Sequence, residues 1–178
     1  MRLQLTRHPD YPSLVGFVVV DVAQPLRGLL ALRYSVFGAT ERLKLPMPAD
    51  HVRTDELWKH TCFEAFVRPS TDACYYEFNF APSSAWAAYQ FKGYRAGMGT
   101  ALGVPAPEIT TASRENQFEL EAKVDVSGLP ELADAPAWRL ALTAVIEETD
   151  GVKSYWALAH PPGKPDFHHA DGFGLELP

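Results

Sequence analysis

LWKHTCFEAFV, residues 57–67, and CYYEFNF, residues 74–80, are the two segments that decide the fold of this chain. Both are rich in aromatic residues, which favour a pleated and half-buried strand. The residues between them, RPSTDA at 68–73, include Pro, Ser and Asp, which are typical of turns. The pattern therefore predicts a β-hairpin made of two aromatic-rich strands.

The hairpin is predicted to have one apolar face and one polar face. Successive side chains of a strand point to opposite sides, so a register that places Phe63 opposite Phe78 gathers apolar side chains on one side. The same register places Glu64 opposite Glu77 on the other side, with Asn79 beside them. Like charges directly opposite each other are mildly destabilising. Two carboxylates and an amide flanked by aromatic residues therefore indicate a polar binding surface.

Composition limits the classes to which this chain can belong. With 178 residues and 47% apolar residues, it is expected to form a single domain, residues 1–178, with a real core. A net charge of -6 argues against a nucleic-acid or anionic-membrane partner, since either needs a basic face. Two cysteines are too few for a disulfide scaffold and fit a cytoplasmic protein, and no secretory signal or membrane span is visible.

Short alternating segments separated by turn residues run along the whole chain. The alternation is clearest at 118–124, where Phe, Leu, Ala and Val alternate with charged residues. Many short strands with frequent turn signals predict an all-β fold, a two-sheet antiparallel β-sandwich. The candidate strands cover residues 2–6, 15–22, 29–37, 61–67, 74–80, 86–94, 108–113, 117–125, 138–147, 153–158 and 174–177.

The two glutamates of the hairpin have three interpretations. In the first, they lie on a solvated face and have no functional role, as most charged strand residues do. Alternatively, Glu64 and Glu77 accept hydrogen bonds from the hydroxyl groups of a sugar. In the third interpretation they are the acid and the nucleophile of a retaining glycosidase, whose carboxyl groups lie about 5 Å apart, close to the spacing of directly opposed strand residues.

Four more residues are candidates for a ligand site. Trp58 precedes the first hairpin strand among polar neighbours and is either a core aromatic or a platform for a sugar ring. Arg95 follows a predicted strand and either donates hydrogen bonds to hydroxyl groups or carboxylates, or stays solvated. The Pro-rich segment 160–166 predicts a rigid loop that holds Phe167 and His168 as the wall of a binding site.

The C-terminal run 156–171 also concentrates residues that can bind metals. A transition-metal site is not favoured, because the adjacent His168 and His169 point in different directions and no second ligand motif accompanies them. Calcium at Asp166 or Asp171 is left open, although no calcium-loop motif is present. Motifs for nucleotide binding and for a nucleophilic serine or cysteine are not found.

Segments 57–58, 63–67 and 75–82 together resemble carbohydrate-binding module family 9, which shares its sandwich with DOMON domains. The continuation at 86–95 and the ending at 160–168 are similar to a bacterial DOMON-like subgroup, so that the resemblance spans nearly the whole chain. It implies an antiparallel β-sandwich that binds a sugar between two aromatic walls.

The resemblance also assigns roles to individual residues. Trp58 matches one aromatic wall, and its spacing to Glu64 matches that between the family's tryptophan and its hydrogen-bonding glutamate. The second wall, a tryptophan in the family, is replaced here by Phe167 or His168. The acidic residue that follows the first tryptophan in the family is replaced by the pair 60–61, His-Thr.

DOMON relatives imply a second possibility, b-type haem held by a methionine and a histidine. Met47 or Met98 with His168 or His169 are the candidates, and no motif selects among them. Haem and calcium are therefore the cofactors left open, and none is predicted.

The leading expectation is a non-catalytic module for a small carbohydrate-like ligand. The alternatives are a haem-binding protein, a glycoside-processing enzyme and a sandwich that docks a protein partner without any small ligand. The predicted ligand-binding residues are Trp58, Glu64, Glu77, Asn79, Arg95, Phe167 and His168.

Overall fold

The architecture is almost entirely β, as predicted. The computed structural model describes residues 1–48 and 50–178. Helical structure within these residues is limited to the single turn α1 (Pro130–Ala133) and three 3₁₀ turns, one of which covers Leu57–Lys59. The strands are β1 (Arg2–Arg7), β2 (Val15–Leu26), β3 (Leu29–Gly38), β4 (Cys62–Pro69), β5 (Tyr75–Phe80), β6 (Trp86–Phe91), β7 (Gly99–Thr100), β8 (Glu108–Arg114), β9 (Gln117–Asp125), β10 (Trp138–Glu147), β11 (Lys153–Ala157) and β12 (Leu175–Leu177).

These strands form the predicted two-sheet antiparallel sandwich. The first sheet has the order β1-β2-β3-β9-β8, and the second has the order β7-β6-β5-β4-β10-β11, with β12 also paired to β10. Strand β1 connects the two sheets, because Leu3 pairs with Val20 of β2 while Thr6 pairs with Ala157 of β11. The continuous ladder curls so that one face of each sheet turns inward.

The main core lies between the inward faces of the two sheets. Strand alternation supplies it with apolar side chains from both sides, including Tyr34 and Leu120 of the first sheet and Phe63, Phe78 and Leu142 of the second, all with at most 1% exposure. Burying a side chain of this size stabilises the fold by about 1.5–3 kcal/mol. The hydroxyl group of Tyr34 donates a 2.6 Å hydrogen bond to the backbone oxygen of Glu64, so this polar atom is satisfied inside the core.

The predicted hairpin exists, but its predicted register is wrong by two residues. Phe63 pairs with Phe80 and Glu64 pairs with Asn79, so Glu64 and Glu77 are not directly opposite. The cause lies in the turn, where the carboxylate of Asp72 accepts hydrogen bonds from the amides of Ala73 and Cys74 and so keeps Cys74 out of the ladder. A shift of two residues preserves the faces, and the predicted apolar face is indeed buried in the main core.

Strand β6 is shorter than predicted, and this affects a candidate residue. It ends at Phe91, so Tyr94 and Arg95 lie in the turn that follows, where the amide of Ala96 donates to the backbone oxygen of Gly93.

Both Cys62 and Cys74 are free thiols. Of the residues described, none belongs to a helix that is long and apolar enough to cross a membrane.

Candidate functional site

A cavity of about 420 Å³ lies against the outer face of the second sheet, the side of β4 that carries Glu64 and Phe66. The 3₁₀ turn at Leu57–Lys59 and the loop that contains Phe167 and His168 form its other walls. We call it the outer cavity. Its lining consists of Trp58, Glu64, Phe66, Glu77, Phe91, Arg95, Met98, Val145, Tyr155, Pro165, Phe167 and His168.

Strand pairing places the polar side chains of the outer cavity in neighbouring rows. Glu64 of β4 pairs with Thr143 of β10 on one side and with Asn79 of β5 on the other. The next row pairs Phe66 with Glu77. Paired residues of antiparallel strands point to the same face. The floor of the cavity therefore consists of a buried polar row beside a row that holds Phe66 and Glu77.

Glu64 is buried with one carboxylate oxygen that has no partner. Only 2% of the residue is exposed. Its Oε2 accepts a 3.0 Å hydrogen bond from the hydroxyl group of Thr143, whereas its Oε1 is buried without any hydrogen-bond partner. Burial raises the pKa of Glu64 well above its ordinary value, and the nearby Glu77 raises it further. An unpaired buried oxygen costs about 1–3 kcal/mol, so it is a ready acceptor or donor for a ligand.

Glu77 lies on the same floor and is held by an amide. The side-chain nitrogen of Asn79, which is fully buried, donates a 2.8 Å hydrogen bond to Oε1 of Glu77. The oxygen of the same amide faces Sγ of Cys62 at 3.5 Å. Burial raises the pKa of Glu77 to about 7, while the hydrogen bond from Asn79 and the charge of Arg95 act in the opposite direction.

His168 is held by Tyr75 and lies beside Glu77. The hydroxyl oxygen of Tyr75 accepts a 3.1 Å hydrogen bond from the amide of Arg95 and lies 2.8 Å from Nδ1 of His168. We assign the hydroxyl proton to the contact with Nδ1, which places the proton of the neutral ring on Nε2, 3.9 Å from Oε2 of Glu77. Burial lowers the pKa of His168 to about 4, so the ring is neutral near pH 7.

Arg95 is tied to the loop that carries His168. Its guanidinium group donates a 2.7 Å hydrogen bond to Oδ1 of Asp166, and Tyr94 donates to the other oxygen of the same carboxylate. The backbone of Arg95 has a φ of 51°, which lies in the left-handed region that non-glycine residues avoid. Strain of this kind costs about 1–3 kcal/mol and is retained where the surrounding contacts fix it.

Aromatic side chains form opposite walls of the outer cavity. Trp58 is half-buried and packs edge-on against Tyr89, with ring centroids 5.9 Å apart. Phe167 is half-buried and packs against Tyr155 at 6.1 Å. The ring of His168 rests edge-on against Phe66 at 5.1 Å. Such half-exposed rings offer apolar faces on which a sugar ring can stack.

The structure brings together six of the seven predicted ligand-binding residues. Trp58, Glu64, Glu77, Arg95, Phe167 and His168 line the outer cavity. Asn79 is not in the lining and lies beneath it, where it positions Glu77. The other lining residues were not predicted as such, and Met98 was predicted only as a haem ligand. They are Tyr155, Phe91, Phe66, Val145 and Pro165. All of them except Pro165 lie on strands, where alternation of side chains could have shown that they share the face of Glu64.

The geometry corrects two expectations about the glutamate pair. Glu64 and Glu77 do not lie on a solvated face, because they are 2% and 5% exposed. They are also not directly opposed across the strands, so the direct cross-strand pairing on which the retaining-glycosidase interpretation was based is wrong. Residues related diagonally across two strands are typically about 7–8 Å apart.

The candidate cofactor ligands are dispersed. Met98 and His168 both line the outer cavity, whereas Met47 is outside its lining and 83% exposed. His169 bonds its own loop, since its Nδ1 accepts from the amide of Asp171. Asp166, a candidate for calcium, is engaged by Arg95. Across residues 1–48 and 50–178, no group of three or more His, Cys, Asp or Glu side chains is arranged to hold a metal ion.

Comparison with known proteins shows the fold. No family model matches the sequence, and no curated protein is significantly similar to it. A solved structure from Bacteroides uniformis, described as a "putative carbohydrate-binding protein", superposes with a TM-score of 0.73 at 18% identity and covers 99% of this chain and 85% of that one. At this identity the match demonstrates a shared fold and assigns no site.

Two further solved structures are those of a family 9 carbohydrate-binding module from Caldicellulosiruptor kristjanssonii, in complex with glucose and with cellotriose. Each has a TM-score of 0.45 at 10% identity, and they cover 89% of this chain and 76% and 75% of the module. The likeness to DOMON domains stays a prediction.

Proposed function

We propose that this chain is a single-domain, non-catalytic module that binds a small carbohydrate in the outer cavity. The observation that carries the proposal is the combination, in one cavity of about 420 Å³, of two half-buried aromatic walls and a buried polar floor. Ligand pockets of roughly 300–1,000 Å³ with mostly apolar walls and a few polar groups are typical of small-molecule sites.

The roles of the residues follow from their positions. Trp58 and Phe167 or His168 stack on the faces of the sugar ring. Glu64 and Glu77 accept hydrogen bonds from hydroxyl groups, and Oε1 of Glu64 gains the partner that it lacks in the unliganded protein. Arg95 closes the rim of the cavity, and Asn79 holds Glu77 in position. The resemblance in fold to a protein described as carbohydrate-binding supports this assignment.

Tryptophan fluorescence offers a direct test, since Trp58 is half-buried while Trp86, Trp138 and Trp156 are at most 7% exposed. We expect a panel of mono- and disaccharides to include a sugar that changes the emission of Trp58 in a saturable way. Calorimetry should show the same sugar binding to the wild type and at least about fivefold more weakly to Trp58→Ala, because loss of a stacking contact costs about 1 kcal/mol or more.

Phe17→Ala provides the matched control. Phe17 is an exposed aromatic on β2 of the first sheet, outside the outer cavity. This variant should bind the sugar as the wild type does. Absence of binding by every sugar, or equal binding by wild type and Trp58→Ala, would contradict the proposal.

Haem binding is the second candidate, since Met98 and His168 line the same cavity. Against it, Nδ1 of His168 is hydrogen-bonded to Tyr75 and Nε2 lies beside the carboxylate of Glu77, so a haem iron would have to displace one of these contacts. We expect no Soret band when haem is added to the purified protein, and a stoichiometric band lost in His168→Ala would support haem instead. A cytoplasmic location, expected from the cysteines, remains a prediction.

A further inference from the structure

We infer that the outer cavity selects a carbohydrate that carries a protonated amine over its neutral counterpart. The inference rests on the proposed function and names the chemical class of the ligand. It follows from the partners of the two carboxyl groups on the cavity floor, none of which is a cation.

The two floor carboxylates are bonded by neutral donors. Glu64 accepts from the hydroxyl group of Thr143, and Glu77 accepts from the amide of Asn79. Among the described residues, the single ion-pair contact of either carboxylate within 4 Å is that of Glu77 with His168, at 3.9 Å. Since burial lowers the pKa of His168 to about 4 and keeps the ring neutral near pH 7, this contact does not supply a positive charge.

The cation at the rim of the cavity is already paired. The guanidinium group of Arg95 bonds Asp166 of the loop that carries His168 at 2.7 Å, so a carboxylate outside the floor already offsets its charge. Glu64 and Glu77 therefore give the cavity an excess of acidic groups. A buried carboxylate without a cation is costly, and the molecule lowers that cost by retaining protons on the pair, in keeping with the raised pKa of both groups.

An ammonium group on the ligand would supply both the positive charge and the hydrogen-bond donors that the cavity floor lacks. It donates up to three hydrogen bonds, and the floor offers it two carboxyl groups, one of which, that of Glu64, has an oxygen without a hydrogen-bond partner. Hydrogen bonds between two charged groups are roughly twice as strong as neutral ones, and exclusion of water strengthens them further. A hydroxyl group in the same place satisfies the geometry but does not stabilise the ionised form of either carboxyl group.

The aromatic walls favour a cation attached to a ring over a bare amine. Trp58 faces the same cavity, and the face of a tryptophan ring attracts a nearby cation by about 0.5–2 kcal/mol. A sugar ring also has apolar C–H faces that suit the aromatic walls and polar groups at its edge that suit the polar floor. An amino sugar thus uses the floor, the walls and the excess acidity of the cavity together.

Calorimetry at pH 7 can test the inference with glucose, its 2-, 3- and 6-amino derivatives, and N-acetylglucosamine as the neutral control. We expect at least one amino sugar to bind the wild type about tenfold more tightly than glucose, the factor expected for one charge-assisted hydrogen bond in place of a neutral one. N-acetylglucosamine should show no such gain.

Amide variants separate charge from shape. In Glu64→Gln and Glu77→Gln the preference for the amino sugar should fall to about twofold or less, while Glu121→Gln, an exposed acid of the first sheet, should keep it in full. Two Gln variants are used so that a folding defect in one leaves the other informative.

The outcomes distinguish this inference from the proposed function. Glucose binding with no amino sugar tighter, or a preference that persists in both Gln variants, overturns the inference and leaves the proposed function intact. Failure of every sugar overturns both. Cyclohexylamine binding as tightly as the best amino sugar supports selection of an amine and contradicts a role for the sugar hydroxyl groups.

Discussion

The outer faces of both sheets carry acidic residues, which are exposed on the first sheet and buried on the second. On the first sheet, Arg33 and Glu121 pair across β3 and β9 at 2.6 Å with side chains that are 51% and 46% exposed. On the second sheet, Glu64 and Glu77 occupy equivalent outward positions but are 2% and 5% exposed and have neutral partners. One face is solvated, and the other is the floor of a cavity.

The difference arises from what covers each face. The charges of the first sheet face water, where opposite signs alternate across the strands and screening limits their effect. The second sheet is covered by the turn at Leu57–Lys59 and by the loop that holds Phe167 and His168. An acidic residue on a strand therefore indicates a candidate site when chain segments remote from that strand enclose it and supply no cation.

The largest expected effect concerns the dependence of stability on pH. Burial raises the pKa of Glu77 from 4.5 to about 7. Between these pH values the unfolded chain loses the proton that the folded protein keeps, so the free energy of unfolding falls as the pH rises. Relative to Glu77→Gln, the wild type should lose about 3 kcal/mol across this window, measured by urea unfolding at several pH values.

His168 acts in the opposite direction and defines the control. Burial lowers its pKa from 6.5 to about 4, so its contribution to stability increases as the pH rises between these values. Because both proteins contain His168, its effect cancels in the difference between them. Equal pH profiles for wild type and Glu77→Gln would show that Glu77 is solvated, like the acids of the first sheet.

The next effect concerns the amide beneath the floor. Asn79→Leu keeps the branched shape of the side chain but removes the donor to Oε1 of Glu77. We expect a loss of about 2 kcal/mol in the free energy of unfolding, since a buried acceptor without a partner costs about 1–3 kcal/mol. Chemical denaturation at pH 8 is the suitable measurement, because more of Glu77 is then ionised. A loss below about 0.5 kcal/mol would contradict the assigned role.

A smaller effect is expected at the junction of the two loops. Tyr75→Phe removes the hydroxyl group that accepts from the amide of Arg95 and donates to His168. Stability should fall by about 1 kcal/mol. The pKa of His168 should rise, since the neutral ring loses a donor, and NMR titration of its ring protons can follow this. An unchanged or lowered pKa would overturn the tautomer assigned to His168.

The smallest effect is expected on the first sheet. Glu121→Gln and Arg33→Ala each remove one partner of the exposed pair. Either variant should change the free energy of unfolding by at most about 1 kcal/mol, as exposed ion pairs do. A larger change would remove the contrast between the two outer faces.

The fold was largely predictable, because strand alternation depends on neighbouring residues. The segment 118–124 became β9 with its apolar side chains in the core, as the pattern indicated. The hairpin register was not predictable, since it depends on hydrogen bonds that the carboxylate of Asp72 accepts from backbone amides in the turn. The two-residue strand β7 is too short to leave any alternation in the sequence.

The site was predictable in part, for a related reason. Glu64 and Glu77 stand out because carboxylates are unusual between aromatic neighbours on a strand. Tyr155 and Phe91 do not stand out, since they look like ordinary strand residues until the sheet order brings β11 and β6 beside the floor. Burial of the glutamates was likewise not visible, because it depends on loops separated from them in sequence.

A crystal structure of the protein with the sugar that binds most tightly tests the central claim most directly. We predict that the sugar ring lies in the outer cavity against Trp58, with a donor within hydrogen-bond distance of Oε1 of Glu64. A sugar bound on the first sheet, near Arg33, or a cavity that stays free of sugar at saturating concentration would contradict it.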